Sequence, residues 1–88
     1  MGIMTVNPAT GEVVREFDQL SDSEITERIL TAGECFSEYR RTPFSRRAEW
    51  MRAAADILTR RKEELAALVT LEMGKTIRNS LSEIEKSA

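Results

Sequence analysis

The seven residues Leu65-Ala66-Ala67-Leu68-Val69-Thr70-Leu71 constrain the fold of this chain more than any other feature. They carry no charge, and as a helix they present apolar side chains on nearly every face. A helix of that kind is normally enclosed by protein. The chain around it has 88 residues, and a chain of that size buries roughly 60–65% of its unfolded surface. That covers one side of the segment, or two. The sequence therefore predicts a helical piece whose apolar surface waits for a partner.

Helical spacing extends the same reading in both directions. Ser21-Asp22-Ser23-Glu24 has the form of a capping box, with Ser21 as N-cap and Glu24 reaching back. Ile25, Ile29, Ala32, Phe36 and Tyr39 then recur on one stripe, which predicts a first helix over 22–40 that stops at Thr42-Pro43. Ser45 is the expected N-cap of a second helix with the stripe Trp50, Ala54, Ile57 and Leu58, Met51 and Ala53 lying on its shoulders. Arg60-Arg61-Lys62 are placed at its last turn, where cations favour the helix dipole. The third helix, 63–73, ends on Gly74, which has the freedom to adopt a positive φ. A fourth carries Ile77, Leu81, Ile84 and Ala88 as a narrow stripe. The sequence ends on that stripe with no cap or polar tail, as a cut chain would.

Ahead of the helices, Ile3-Met4-Thr5-Val6 and Val13-Val14-Arg15-Glu16-Phe17 are β-formers separated by Asn7-Pro8-Ala9-Thr10-Gly11-Glu12. Pro8 fixes its own φ and pushes Asn7 toward an extended conformation. Asn7, Thr10 and Gly11 supply side-chain acceptors and a position for positive φ. A two-stranded hairpin over 3–17 follows, marginal in water unless it packs on something. The expected architecture is mainly α: an N-terminal β-hairpin (3–17), then about four helices (21–88), forming one partial domain.

Composition removes several classes of function. The chain has no histidine, hence no usual general base and no Cys–His or Ser–His arrangement. One cysteine excludes an internal disulfide framework. No apolar run approaches the roughly 20 residues of a membrane span, and the start has no charged-then-apolar signal pattern. No membrane partner and a cytoplasmic location are expected. Residues 40–62 carry eight basic against two acidic side chains, +6, while the remainder sums to −8. A basic segment can be a nucleic-acid footprint. Between acidic helices the expectation is instead a solvated, salt-bridged face that binds no nucleic acid.

Three motifs invite a chemical reading. Gly74-Lys75-Thr76 matches the tail of a phosphate-binding loop, but Val69 stands where that motif needs a glycine, and the segment follows a helix rather than a strand. A helix cap is the expectation. Cys35 lies beside the stripe of the first helix without a histidine partner, so it is expected as a half-buried packing residue. Glu72 falls on the stripe side of the apolar helix. A carboxylate there must be hydrogen-bonded, paired with an Arg or Lys, or bound to a cation.

Several stretches together carry a resemblance: Asn7-Pro8-Ala9-Thr10-Gly11-Glu12-Val13; Phe36-Ser37-Glu38-Tyr39-Arg40; Thr42-Pro43-Phe44-Ser45-Arg46-Arg47-Ala48 with Ala54, Asp56 and Leu58; Glu64-Leu65-Ala66-Ala67-Leu68; Thr70-Leu71-Glu72-Met73-Gly74-Lys75; and the tail Glu83-Ile84-Glu85-Lys86-Ser87-Ala88. In order and spacing they resemble the start of the NAD(P)-dependent aldehyde dehydrogenase superfamily, among its branches most the succinate-semialdehyde dehydrogenases. The resemblance runs from Val6 to Ala88. Tyr39 stands where many members have tryptophan, and Thr76 where many have proline.

The resemblance implies an N-terminal part of an α/β cofactor-binding domain, packed against the rest of a longer dehydrogenase that oxidises an aldehyde to an acid with NAD or NADP. It places the catalytic cysteine, the base and the cofactor-binding residues beyond Ala88. The chain alone is then inactive, with no catalytic residue and no bound cofactor, and its partners are the remainder of the dehydrogenase and further copies in a homo-oligomer. In some members a monovalent cation sits between carbonyls just before the Asn-Pro and an acidic side chain. The matching positions are Thr5, Val6 and Glu72, and hard cations suit such oxygen donors. The rival expectation is a free-standing, self-associating helical interaction module.

Overall fold

The computed structural model describes residues 2–88 and contains a hairpin followed by four helices. Strands β1 (Ile3–Val6) and β2 (Val13–Phe17) pair antiparallel, Ile3 facing Phe17 and Val6 facing Val13, with a register shift between Thr5 and Val6. The turn uses the residues that its chemistry requires. Asn7 Oδ1 accepts the Ala9 N–H at 3.0 Å, Thr10 Oγ1 accepts the Glu12 N–H at 3.2 Å, and Gly11 takes φ 75°. The Gly11 N–H closes the loop on the Asn7 carbonyl at 2.8 Å.

Helix α1 spans Asp22–Tyr39, and its capping box is formed in both directions. The Glu24 N–H reaches Ser21 Oγ at 3.3 Å, and the Ser21 N–H reaches Glu24 Oε2 at 2.8 Å. Helix α2 spans Phe44–Arg60 and departs from expectation at its start. Its N-cap is Pro43, with no side-chain cap, and Ser45 lies inside the first turn. Pro43 has the extended conformation that a cap position requires, φ −63° and ψ 152°, and lacks an N–H that would need a partner. The break to α3 (Lys62–Met73) falls on Arg61, whose φ −103° and ψ 15° leave the helical region. Arg60 therefore ends α2 while Lys62 already begins α3, so the basic triplet is divided between two helices. Gly74 ends α3 at φ 72°, and Thr76 caps α4 (Ile77–Ser87) by accepting the Asn79 N–H at 3.2 Å.

Packing is concentrated where α3 and α4 run antiparallel. Ala66 and Ser80 are fully buried there, and the Thr70 and Ser80 hydroxyls hydrogen-bond at 2.9 Å. Lys62 reaches Glu85 at 3.4 Å across the same pair. Helix α2 joins them, with Ala55 and Leu58 half-buried. Helix α1 packs along none of the other elements, and every residue in it is exposed. The result is a slab with extents of 46 × 35 × 13 Å. Its radius of gyration is 17.6 Å, against about 12 Å for a compact domain of this length. A domain buries its apolar stripes between packed layers; this chain is a single layer. Helix α3 shows the consequence: Ala66 is enclosed while Leu68 on another face is 49% exposed.

Candidate functional site

The hairpin and the helical layer meet where the Asn7-Pro8 turn lies on the end of α3. A methyl group at Gly74 would stand 2.8 Å from Cγ of Pro8 and 3.6 Å from its Cβ. Gly74 is thus held to glycine by two independent demands, a left-handed φ and a ring against its Cα. Thr5 and Glu72 lie close in sequence to this contact, and both are half-buried. Thr5 Oγ1 is enclosed with no hydrogen-bond partner. The ion pairs among the described residues use Glu49, Glu64, Glu83 and Glu85. Glu72 is in none of them, so the Arg or Lys partner expected as one option is not found there. Val6 lies two residues before Pro8, as Glu72 lies two before Gly74, and Val6 is exposed.

The Gly74-Lys75-Thr76 run serves as a junction between helices. Gly74 donates its N–H to the Thr70 carbonyl at 3.0 Å, Thr76 caps α4, and Lys75 pairs with Glu83. With its lysine paired to a glutamate and its glycine pressed on Pro8, the segment does not have the form of a phosphate cradle.

The corner between α1 and α2 holds a cluster that sequence spacing does not announce. The Tyr39 and Trp50 rings stack with centroids 5.9 Å apart. The Arg47 guanidinium lies 4.7 Å from the Tyr39 centroid and 5.6 Å from that of Phe44, and it donates to the Tyr39 carbonyl at 3.0 Å. Arg46 covers Trp50 at 5.5 Å while pairing with Glu49 at 3.0 Å. The Arg46–Trp50, Arg46–Glu49 and Phe44–Arg47 spacings, i to i+4 and i to i+3, were readable along one helix, whereas the Tyr39 contacts across the corner were not. The basic segment is therefore partly a salt-bridged face, as expected, and partly cation–π packing. Cys35 sits beside this corner and is exposed, not half-buried. No element covers α1, so its shoulder positions stay in solvent.

Altered ionisation is found at helix starts. The backbone N–H of Ser21, with its hydroxyl and Arg28, holds Glu24 below the usual carboxylate range. The Arg61 guanidinium, by hydrogen bonding and then by charge, lowers Glu64, and Glu64 in turn raises Arg61. These are capping and surface pairs rather than an acid–base pair. Among the described residues no three or more His, Cys, Asp or Glu side chains converge to hold a metal.

Caps, a clasp and a one-sided layer make a scaffold, and the comparisons with known proteins say of what kind. The model of the aldehyde dehydrogenase family matches residues 1–88, and the chain belongs to that family. It is 47% identical over 88 residues to a probable NADP(+) succinate-semialdehyde dehydrogenase of Synechocystis, covering all of this chain and 19% of that protein. Over 89 residues it is 47% identical to the NADP(+) succinate-semialdehyde dehydrogenase of Mycobacterium avium and 48% identical to one of Mycobacterium ulcerans, with the same coverage. The chain thus spans about a fifth of the length of these relatives. The rival expectation of a free-standing module draws no support from these matches.

Proposed function

We propose that this chain is the N-terminal scaffold segment of an NADP-dependent succinate-semialdehyde dehydrogenase. The observation that carries the proposal is the whole-chain match to such enzymes, by a layer that has almost no enclosed core of its own. In this reading the nucleophile, the base and the nucleotide site belong to the rest of the enzyme, which is cytoplasmic and homo-oligomeric. NADP, when bound there, accepts the hydride released as the aldehyde becomes an acid. This segment's contribution is mechanical: α3 and α4, locked by Thr70 and Ser80, present a rigid apolar face to the cofactor-binding domain. The test is a chimera in which the chain replaces its matching segment in the Synechocystis enzyme. NADP-dependent oxidation of succinate semialdehyde is expected to persist within about tenfold; an inactive but folded chimera would refute the reading.

The same reading assigns a monovalent cation to the clasp, held by the Thr5 and Val6 carbonyls and the Glu72 carboxylate. Support comes from the half-buried Glu72 and the enclosed Thr5 hydroxyl, neither of which has a partner among the described residues. Both lie within three residues in sequence of the Pro8–Gly74 contact. The fit is to a singly charged ion on oxygen donors, since among the described residues no cluster of acids converges to neutralise a divalent one. The chimera is expected to melt at higher temperature in potassium chloride than in tetramethylammonium chloride, and Glu72→Gln to remove the difference. Equal melting in both salts removes the cation from the proposal.

A further inference from the structure

The exposed area of this chain exceeds what a finished domain carries. Its accessible surface is 7710 Å², whereas a folded monomer of 10.0 kDa exposes about 5,200 Å². The excess, about 2,500 Å² from one side, places a matched interface in the range of permanent assemblies rather than transient ones. The exposed surface includes all of α1, an 18-residue helix that no other element packs along. Ile29 and Phe36 on its stripe are 66% and 60% exposed. An isolated helix of this length is marginal in water, so α1 gains its stability from what covers it. The α1–α2 corner adds the interface-forming residue types, Tyr39, Phe44, Arg46 and Trp50, in one place.

We infer that this surface docks the remainder of the dehydrogenase tightly enough to need no covalent link, so that the 88-residue chain and that remainder reassemble into an active enzyme as two polypeptides. The occupant is the rest of the dehydrogenase because about four-fifths of each relative's length lies outside the matched part, and a single layer needs a second against it. The inference rests on the scaffold reading above and adds to it that the contact is strong in trans. A peptide link raises the local concentration of the two parts to about millimolar; the inference is that the contact forms without that help.

The test co-expresses the chain with the Synechocystis enzyme lacking its matching segment, next to the covalent chimera. The expected result is co-purification of the two polypeptides and succinate-semialdehyde oxidation within about tenfold of the chimera. Ile29→Asp with Phe36→Asp in the chain should lower the activity of the split pair more than tenfold and that of the chimera less, because the link compensates for a weakened face. An active chimera with a split pair that neither co-purifies nor reacts overturns the inference and leaves the scaffold reading standing. An inactive chimera overturns both. Self-association of the chain in preference to the remainder, or a split pair indifferent to the α1 substitutions, also overturns it.

Discussion

Replacing Gly74 with alanine tests the contact that joins the hairpin to the helical layer. Two costs act at once. Alanine at φ 72° gives up about 1–2 kcal/mol because its Cβ crowds the carbonyl in the left-handed region. Its methyl would also lie 2.8 Å from Cγ of Pro8. That atom belongs to a rigid ring, so the turn must move and the clasp opens, adding about 1 kcal/mol on the scale of overpacking. Gly74→Ala should therefore cost about 2–3 kcal/mol, a fall in melting temperature of roughly 10–20 °C for a chain of this size. The assay is thermal unfolding followed by circular dichroism in a double-mutant cycle with Pro8→Ala. With the ring gone only the backbone cost remains, so the same substitution should cost about 1–2 kcal/mol in the Pro8→Ala background. A cost unchanged by Pro8→Ala would show that the ring does not bear on Gly74. A cost below about 0.5 kcal/mol in both backgrounds would refute the left-handed cap as well.

Two further substitutions probe the layer and its outlying helix. Thr70→Val leaves the fully buried Ser80 hydroxyl without a partner and should cost about 1–3 kcal/mol; Thr70→Val with Ser80→Ala should recover part of that, and no recovery would mean the 2.9 Å contact is not a hydrogen bond of consequence. Glu24 is held below its usual value of 4.5 by the Ser21 N–H, so its contribution is fully present above that pH and is lost as pH falls through the lowered value. Helicity should accordingly drop on acidification below about pH 4.5 in the native chain and less in Glu24→Gln; equal acid profiles would exclude the capping box as the cause. Ser21→Ala should lower helicity at neutral pH as well, by loss of about 1 kcal/mol.

The features legible in the sequence are those whose cause lies within a few residues. The capping box at Ser21 and Glu24, the turn held by Asn7, Thr10 and Gly11, and the left-handed end at Gly74 each depend on groups a turn apart, and each formed as expected. Even the local misreading at Ser45 had a local cause: both Pro43 and Ser45 can start a helix, and the extended backbone at Pro43 decided between them. The partners of Thr70, Tyr39 and Gly74 were not legible, because Ser80, Trp50 and Pro8 reach them through space rather than along one helix. Glu72 shows the boundary most clearly. Its place on an apolar helix followed from spacing, whereas its half-buried setting without an ion pair among the described residues depends on the tertiary packing. The sequence by itself determined that α3 carries more apolar surface than this length can enclose, since periodicity is fixed by residue order. Only the tertiary structure decided that the excess stays on a layer 13 Å thick, because burial depends on which faces find a neighbour, and α1 finds none along its length.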